Sequence, residues 1–128
     1  MDRKGFESLV LEKYGIKGDY PFEDDFETAV FRHNMNKKWF AIAMNISRSR
    51  LGLVGNDIIS VVNFKCKPEI IESIVGVEQG IYKAYHMNKA HWLTVALDGS
   101  CDSDTIEWLL EISFDLTNSK KRRLGKND

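Results

Sequence analysis

The feature that most constrains this chain is a change in hydrophobic period along its length. Residues 3–14 place Phe6, Leu9, Val10 and Tyr14 at helical spacing, with Asp2 able to cap the start and Gly15 able to supply a left-handed stop. From Thr28 the period falls to two. Residues 28–34 and 38–46 read as strands joined by the turn Asn34-Met35-Asn36-Lys37. Strict alternation puts Phe40, Ile42, Met44 and Ile46 on one face of the second strand, and Trp39, Ala41, Ala43 and Asn45 on the other. Residues 47–53 continue that strand or form a short one of their own. The turn signal Gly55-Asn56-Asp57 follows, and then a strand over 58–64. Pro68 suits the first turn of a short helix over 68–75, with Ile70, Ile71, Ile74 and Val75 towards the core. Gly76 and Gly80 bracket the connection to 81–85, and His91–Leu97 is the last strand. A final helix starts near Asp104, which stands at capping-box spacing from Glu107. Helical periods at both ends with strands clustered between them predict an α+β two-layer sandwich built on an antiparallel sheet.

At 128 residues the chain is of single-domain size. Residues 1–119 read as one domain and residues 120–128 as a basic tail whose order is left open. A hydrophobic fraction of 43% and a charged fraction of 29% exclude a disordered chain or a collagen-like fibre. The longest apolar run, Trp39 to Met44, is far short of the roughly 18–20 residues needed to span a bilayer. The amino-terminal residues lack the apolar core of a signal peptide, and two cysteines, Cys66 and Cys101, suit a reducing compartment. The expectation is a cytoplasmic monomer that does not engage membranes.

The net charge of −1 hides segregation. Residues 1–27 carry −4, residues 28–67 carry +6, residues 68–119 carry −7 and the last nine carry +4. A basic middle between acidic flanks can form a one-sided positive face that attracts an anionic partner. Equally, acidic helices can neutralise a basic sheet across the fold, and sequence separation does not decide between the two.

Catalytic and metal signatures are weak. His86 and His91 flank a turn and could join Cys66 or His33 at a metal, but no helical i, i+4 pair or CxxC pair is present, so no metal and no cofactor are expected. Cys66 lies between Lys65 and Lys67, which would lower its pKa, yet strand neighbours point to opposite faces, and a small apolar filler is the simpler role. No phosphate loop, dinucleotide fingerprint or nucleophile elbow occurs, and an enzyme is not expected. The densest polar and aromatic run is Tyr82-Lys83-Ala84-Tyr85-His86-Met87-Asn88-Lys89-Ala90-His91-Trp92. Interleaved cations and rings can meet phosphates and stack on bases, although packing of Tyr82, Tyr85 and Trp92 explains the same residues.

This run carries a resemblance. Asn63-Phe64-Lys65-Cys66-Lys67-Pro68-Glu69 and Tyr85-His86-Met87-Asn88-Lys89-Ala90-His91-Trp92 resemble the MmcQ/YjbR family of small bacterial proteins. Tyr20-Pro21-Phe22, Lys38-Trp39-Phe40-Ala41 and Ile112-Ser113-Phe114-Asp115-Leu116 match it in the same order, so the resemblance covers nearly the whole chain. Phe64 in place of leucine and Ala84 in place of proline or glycine are departures. The resemblance implies a frataxin-like (CyaY-like) α+β fold, an antiparallel sheet covered on one face by the terminal helices. It also implies the family's usual label, DNA binding with a double-wing arrangement. The residues that would carry it are Lys65, Lys67, His86, Asn88, Lys89, His91 and Trp92. Lys65, Lys67 and Lys89 would neutralise phosphates, His86 and Asn88 would hydrogen-bond to backbone or base edges, and Arg48 and Arg50 on a hairpin would act as a wing. A different expectation is a small-ligand or protein-interaction module that uses the Tyr85–Trp92 loop as a pocket wall. The frataxin-like fold also raises iron binding through Glu7, Glu12, Glu23, Asp24, Asp25 and Glu27, a fold-level analogy that fold alone does not sustain.

Overall fold

The computed structural model describes residues 1–118, and the basic tail at 120–128 lies outside the described residues. Helix α1 spans Arg3–Tyr14, β1 Ala29–Arg32, β2 Trp39–Ser47, β3 Ile58–Lys65, α2 Pro68–Ile74, β4 Ile81–Lys83, β5 Trp92–Ala96 and α3 Ser103–Leu116. The strands form one sheet in the order β1-β2-β3-β5-β4, with every neighbouring pair antiparallel. The α+β class read from the sequence is thus the fold. Asp2 accepts the Gly5 N–H at 2.8 Å, and the Gly15 N–H closes α1 onto the Leu11 carbonyl with φ of 67°, the caps expected from the sequence.

One face of the sheet carries the main core. Phe6 and Val10 of α1 and Ile106, Leu109 and Leu110 of α3 pack on Phe31, Ala43, Val62, Phe64, Leu93 and Val95, all at or near zero exposure. Tyr14 stacks on Phe114 with ring centroids 3.7 Å apart, and Lys13 Nζ reaches Glu107 and Glu111 at 3.0 and 2.7 Å, which ties α1 to α3. Ser113 donates its hydroxyl to the Phe40 carbonyl and accepts the Lys65 N–H, so α3 is bonded directly to two central strands.

Four local readings are corrected. Phe31 pairs with Ala41 but Arg32 with Trp39, so Phe40 is the extra residue of a β-bulge. The bulge turns both Phe40 and Ala41 to the helical face, where Phe40 meets Tyr14, Phe31 and Phe114, and breaks the alternation that had grouped Phe40 with Ile42. Residues 48–51 form a 3-10 turn rather than a strand, which folds Leu51 onto an apolar cluster of the opposite sheet face. Residues 81–83, read only as a connection, are the edge strand β4. Finally, α3 begins at Ser103 with Asp102 before it, so Asp104 sits inside the first turn, where it favours the helix dipole, and Glu107 faces Lys13 instead of closing a capping box.

Candidate functional site: a cationic cleft above the edge strand

Among the described residues no α-helix covers the sheet face away from α1 and α3. Its apolar part is small: Ile46, Ile59, Val61 and Ala96 are buried, with Met44, Leu51, Tyr82 and Tyr85 packed on them. Beside this cluster lie two polar residues with no exposure at all, Asn63 of β3 and its cross-strand partner Thr94 of β5. Burying such groups is costly unless every donor and acceptor finds a partner. Here they find it in the Tyr85 backbone and in each other: Asn63 Nδ2 donates to the Tyr85 carbonyl at 2.9 Å, the Tyr85 N–H donates to Thr94 Oγ1 at 2.9 Å, and Thr94 Oγ1 donates to Asn63 Oδ1 at 2.5 Å. This clamp pins the chain leaving β4 onto the sheet. The next residue, His86, is held at φ of 62°, a left-handed conformation that costs a non-glycine residue roughly 1–2 kcal/mol. The loop then closes on Asn88, whose side-chain oxygen accepts the Ala90 N–H and whose carbonyl accepts the His91 and Trp92 N–H groups.

The clamped loop forms one wall of a cleft of about 940 Å3. The 3-10 turn, with Arg50 and Leu51, forms a second wall, the segment 75–80 a third, and β4 the floor. Arg50, His86 and Lys89 bring cationic or protonatable groups to it, Tyr82 and Tyr85 bring rings, and Glu78 is the acid among the lining residues; Lys83, next to Tyr82 on β4, stands on the helix-facing side of the strand with Ile81. Gly80 is required where the wall meets the carboxy-terminal half of the fold. At φ of 81° it lies so close to the chain that a Cβ would stand 2.6 Å from Ser100 Oγ and 2.8 Å from the Cys101 nitrogen.

The residues anticipated from the sequence separate into groups. Arg50, His86 and Lys89 meet in the cleft. Arg48 points elsewhere, 4.0 Å from Asp98. Lys65 and Trp92 pair across β3 and β5 at the end of the sheet, half-exposed, and Lys67 is exposed just before α2. His91 is exposed beside them, its carbonyl accepting the Cys66 N–H. Asn88 shapes the loop with its side chain. Of the other bases in the +6 segment, Arg32 is engaged by Asp19 at 2.8 Å, while Lys37 and Lys38 lie at the β1–β2 turn, the same end of the sheet as Lys65 and Lys67. Tyr82, Lys83 and the 75–80 wall were not among the anticipated site residues. The first two stood in the dense polar and aromatic run, and the wall is hinted at only by its two glycines.

Other candidates resolve plainly. Cys66 is buried in the main core, and that burial pushes its thiol pKa up, against a smaller opposing effect of Lys67. Asp25 accepts the Thr28 hydroxyl and the Glu27 and Thr28 N–H groups, which hold its carboxyl below the usual range. Among the described residues no three His, Cys, Asp or Glu side chains come together in a way that could hold a metal ion, and no helix is long and apolar enough to cross a membrane.

Fold and cleft define a small α+β domain with one sheet face under helices and the other under loops that gather cations and tyrosines. The YjbR family model matches residues 11–116, and the chain belongs to this family, MmcQ/YjbR. It is 42% identical over 108 residues to the uncharacterized protein YyaQ of Bacillus subtilis, a match covering 84% of this chain and 91% of that one. The uncharacterized protein YjbR of Escherichia coli is 36% identical over 67 residues, 49% of this chain and 57% of the other. A Pseudomonas syringae protein solved by crystallography superposes with a TM-score of 0.89 at 42% identity, covering 92% of this chain and all of that one. A Deinococcus radiodurans crystal structure, of domain DUF419, gives a TM-score of 0.69 at 26% identity, with 97% and 88% covered.

Proposed function

We propose that this protein is a non-enzymatic nucleic-acid-binding domain that holds its ligand electrostatically at the cleft above β4. The observation that carries the reading is the gathering of Arg50, His86 and Lys89 around one concavity that also presents Tyr82 and Tyr85. Cations spaced among aromatic rings are what a phosphate backbone with attached bases requires. Lys65, Lys67 and Lys89, first expected to act together, divide between this cleft and the adjoining sheet end, where Lys65 and Lys67 lengthen the cationic track. DNA is the proposed partner and the cytoplasm the proposed compartment, with the protein acting as a monomer.

Anisotropy of labelled DNA across a salt series tests this. Three to four phosphate contacts predict log K against log salt falling with a slope of roughly −2 to −4. Arg50→Glu together with Lys89→Glu is expected to abolish binding at ~20 mM salt, where charges are barely screened. Unchanged affinity of that double variant would remove the cleft from the account. Concavity also favours a second reading, a small anionic ligand seated against Tyr85 and His86. It predicts saturable binding of a mononucleotide without any binding of DNA.

A further inference from the structure

We infer that the cleft takes single-stranded nucleic acid rather than a duplex, with bases against Tyr82 and Tyr85 and phosphates against Arg50 and Lys89. This rests on the nucleic-acid reading of the cleft and narrows it. Duplex readers push a convex element, an α-helix or a two-stranded ribbon, into a groove and flank it with cations. Among the described residues no helix is suited to that. Helix α2 carries Glu69 and Glu72 and no base, and α3 carries Asp104, Glu107, Glu111 and Asp115 and no base. In α1, Arg3 is taken by Glu7 and Lys13 by Glu107 and Glu111, which leaves the single exposed Lys4 as the helix's other base. The β1–β2 turn does not stand free either, being bonded to the end of α3 through Asn36 Nδ2 and the Thr117 carbonyl at 2.9 Å, and the exposed tip of the β2–β3 hairpin, residues 52–57, carries Asp57 and no base.

What the molecule offers instead is a hollow. About 940 Å3 lies near the upper end of the size range for small-molecule clefts, enough for unstacked nucleotides but not for a double helix. Its rings are held by packing: Tyr82 and Tyr85 both lie on the Ile46, Ile59, Val61 and Ala96 cluster, Tyr85 also stands 4.1 Å from the His86 ring, and the Asn63–Thr94 clamp fixes the Tyr85 backbone. A strand bound this way keeps its backbone near the cations and lays bases on rings that accept any base, so weak sequence preference follows.

The test compares an oligothymidylate of roughly ten nucleotides with a hairpin duplex of matched charge by anisotropy. The expected result is at least tenfold tighter binding of the single strand. Tyr82→Leu, which keeps the apolar packing, is expected to weaken single-strand binding fivefold or more, and Tyr82→Phe to restore it. Thymidine monophosphate should compete only at concentrations orders of magnitude above the oligomer. Equal or tighter duplex binding, an equal loss for both ligands in Tyr82→Leu, or competition by the mononucleotide on a par with the oligomer would each overturn the inference while leaving an anion-binding cleft. Absence of binding to either polymer would overturn the broader reading as well.

Discussion

Asn63 and Thr94 do more for the cleft than any residue that lines it. They are the fully buried polar pair on the loop-covered sheet face, and both bond to the backbone of Tyr85. Replacing Thr94 with valine keeps the shape but leaves the Tyr85 N–H and Asn63 Oδ1 unpaired, with an expected loss of about 1–3 kcal/mol in a urea melt and faster amide exchange at Tyr85. An unchanged exchange rate at Tyr85 would mean the clamp does not hold the loop. His33 is the corresponding point on the helical face. It is 6% exposed, packs against Phe40 and Phe114, and donates from Nε2 to Thr117 Oγ1 at 2.7 Å, since that hydroxyl is itself donated to the Ser113 carbonyl. Burial lowers its pKa, so the folded state binds fewer protons than the unfolded one. Stability owed to the neutral ring is therefore present above about pH 6.5 and lost as pH falls towards and through the lower folded value. Between pH 7 and pH 5 the urea midpoint should fall, and should fall less in His33→Gln. Equal losses in the two proteins would dismiss His33 as the source.

At the scale of elements, the bulge in β2 and the tight wall after α2 show where sequence periodicity succeeds and where it stops. Helices α1 and α3 and strands β2, β3 and β5 were legible because each buries one regular face, and regular faces leave a period. Phe40 was misplaced because a bulge needs no signature of its own: the ladder absorbs one residue and the hydrophobic pattern on either side remains intact. β4 was invisible as a strand because three residues cannot show alternation. The cleft was half legible. The cluster from Tyr82 to Trp92 named the loop, but which of its residues share a concavity depends on the Tyr85 clamp and on Arg50, which arrives from 32 positions earlier in the chain. Gly80 offers a test at this scale. Gly15→Ala has open space around the new Cβ and should lose only about 1 kcal/mol for its left-handed backbone. Gly80→Ala adds the collision with the Cys101 backbone and should lose more, about 2–4 kcal/mol, with weakened DNA binding as the wall shifts. Equal losses in the two variants would show that the wall is not rigid there.

For the molecule as a whole, the charge segregation seen along the sequence becomes a division between layers. The acids of residues 68–118 lie largely on α2 and α3, while the bases of the middle segment ring the loop-covered face and one end of the sheet. The result is neither one uniform positive face nor complete neutralisation. Several bases are held by acids, as Arg32 is by Asp19 and Arg48 by Asp98, and the cationic groups left around the cleft are few. For the proposed nucleic-acid binding, few cations predict modest affinity and a shallow salt slope. The central claim is that the cleft above β4 is where the nucleic acid sits. It is tested most directly by following the backbone amide resonances of the intact protein as an oligothymidylate is added at low salt. Binding in the cleft predicts shifts concentrated at Arg50, Tyr82, Lys83, Tyr85, His86 and Lys89, fading as salt is raised. Shifts centred on Lys37, Lys38, Lys65 and Lys67 with the cleft residues unmoved would contradict it.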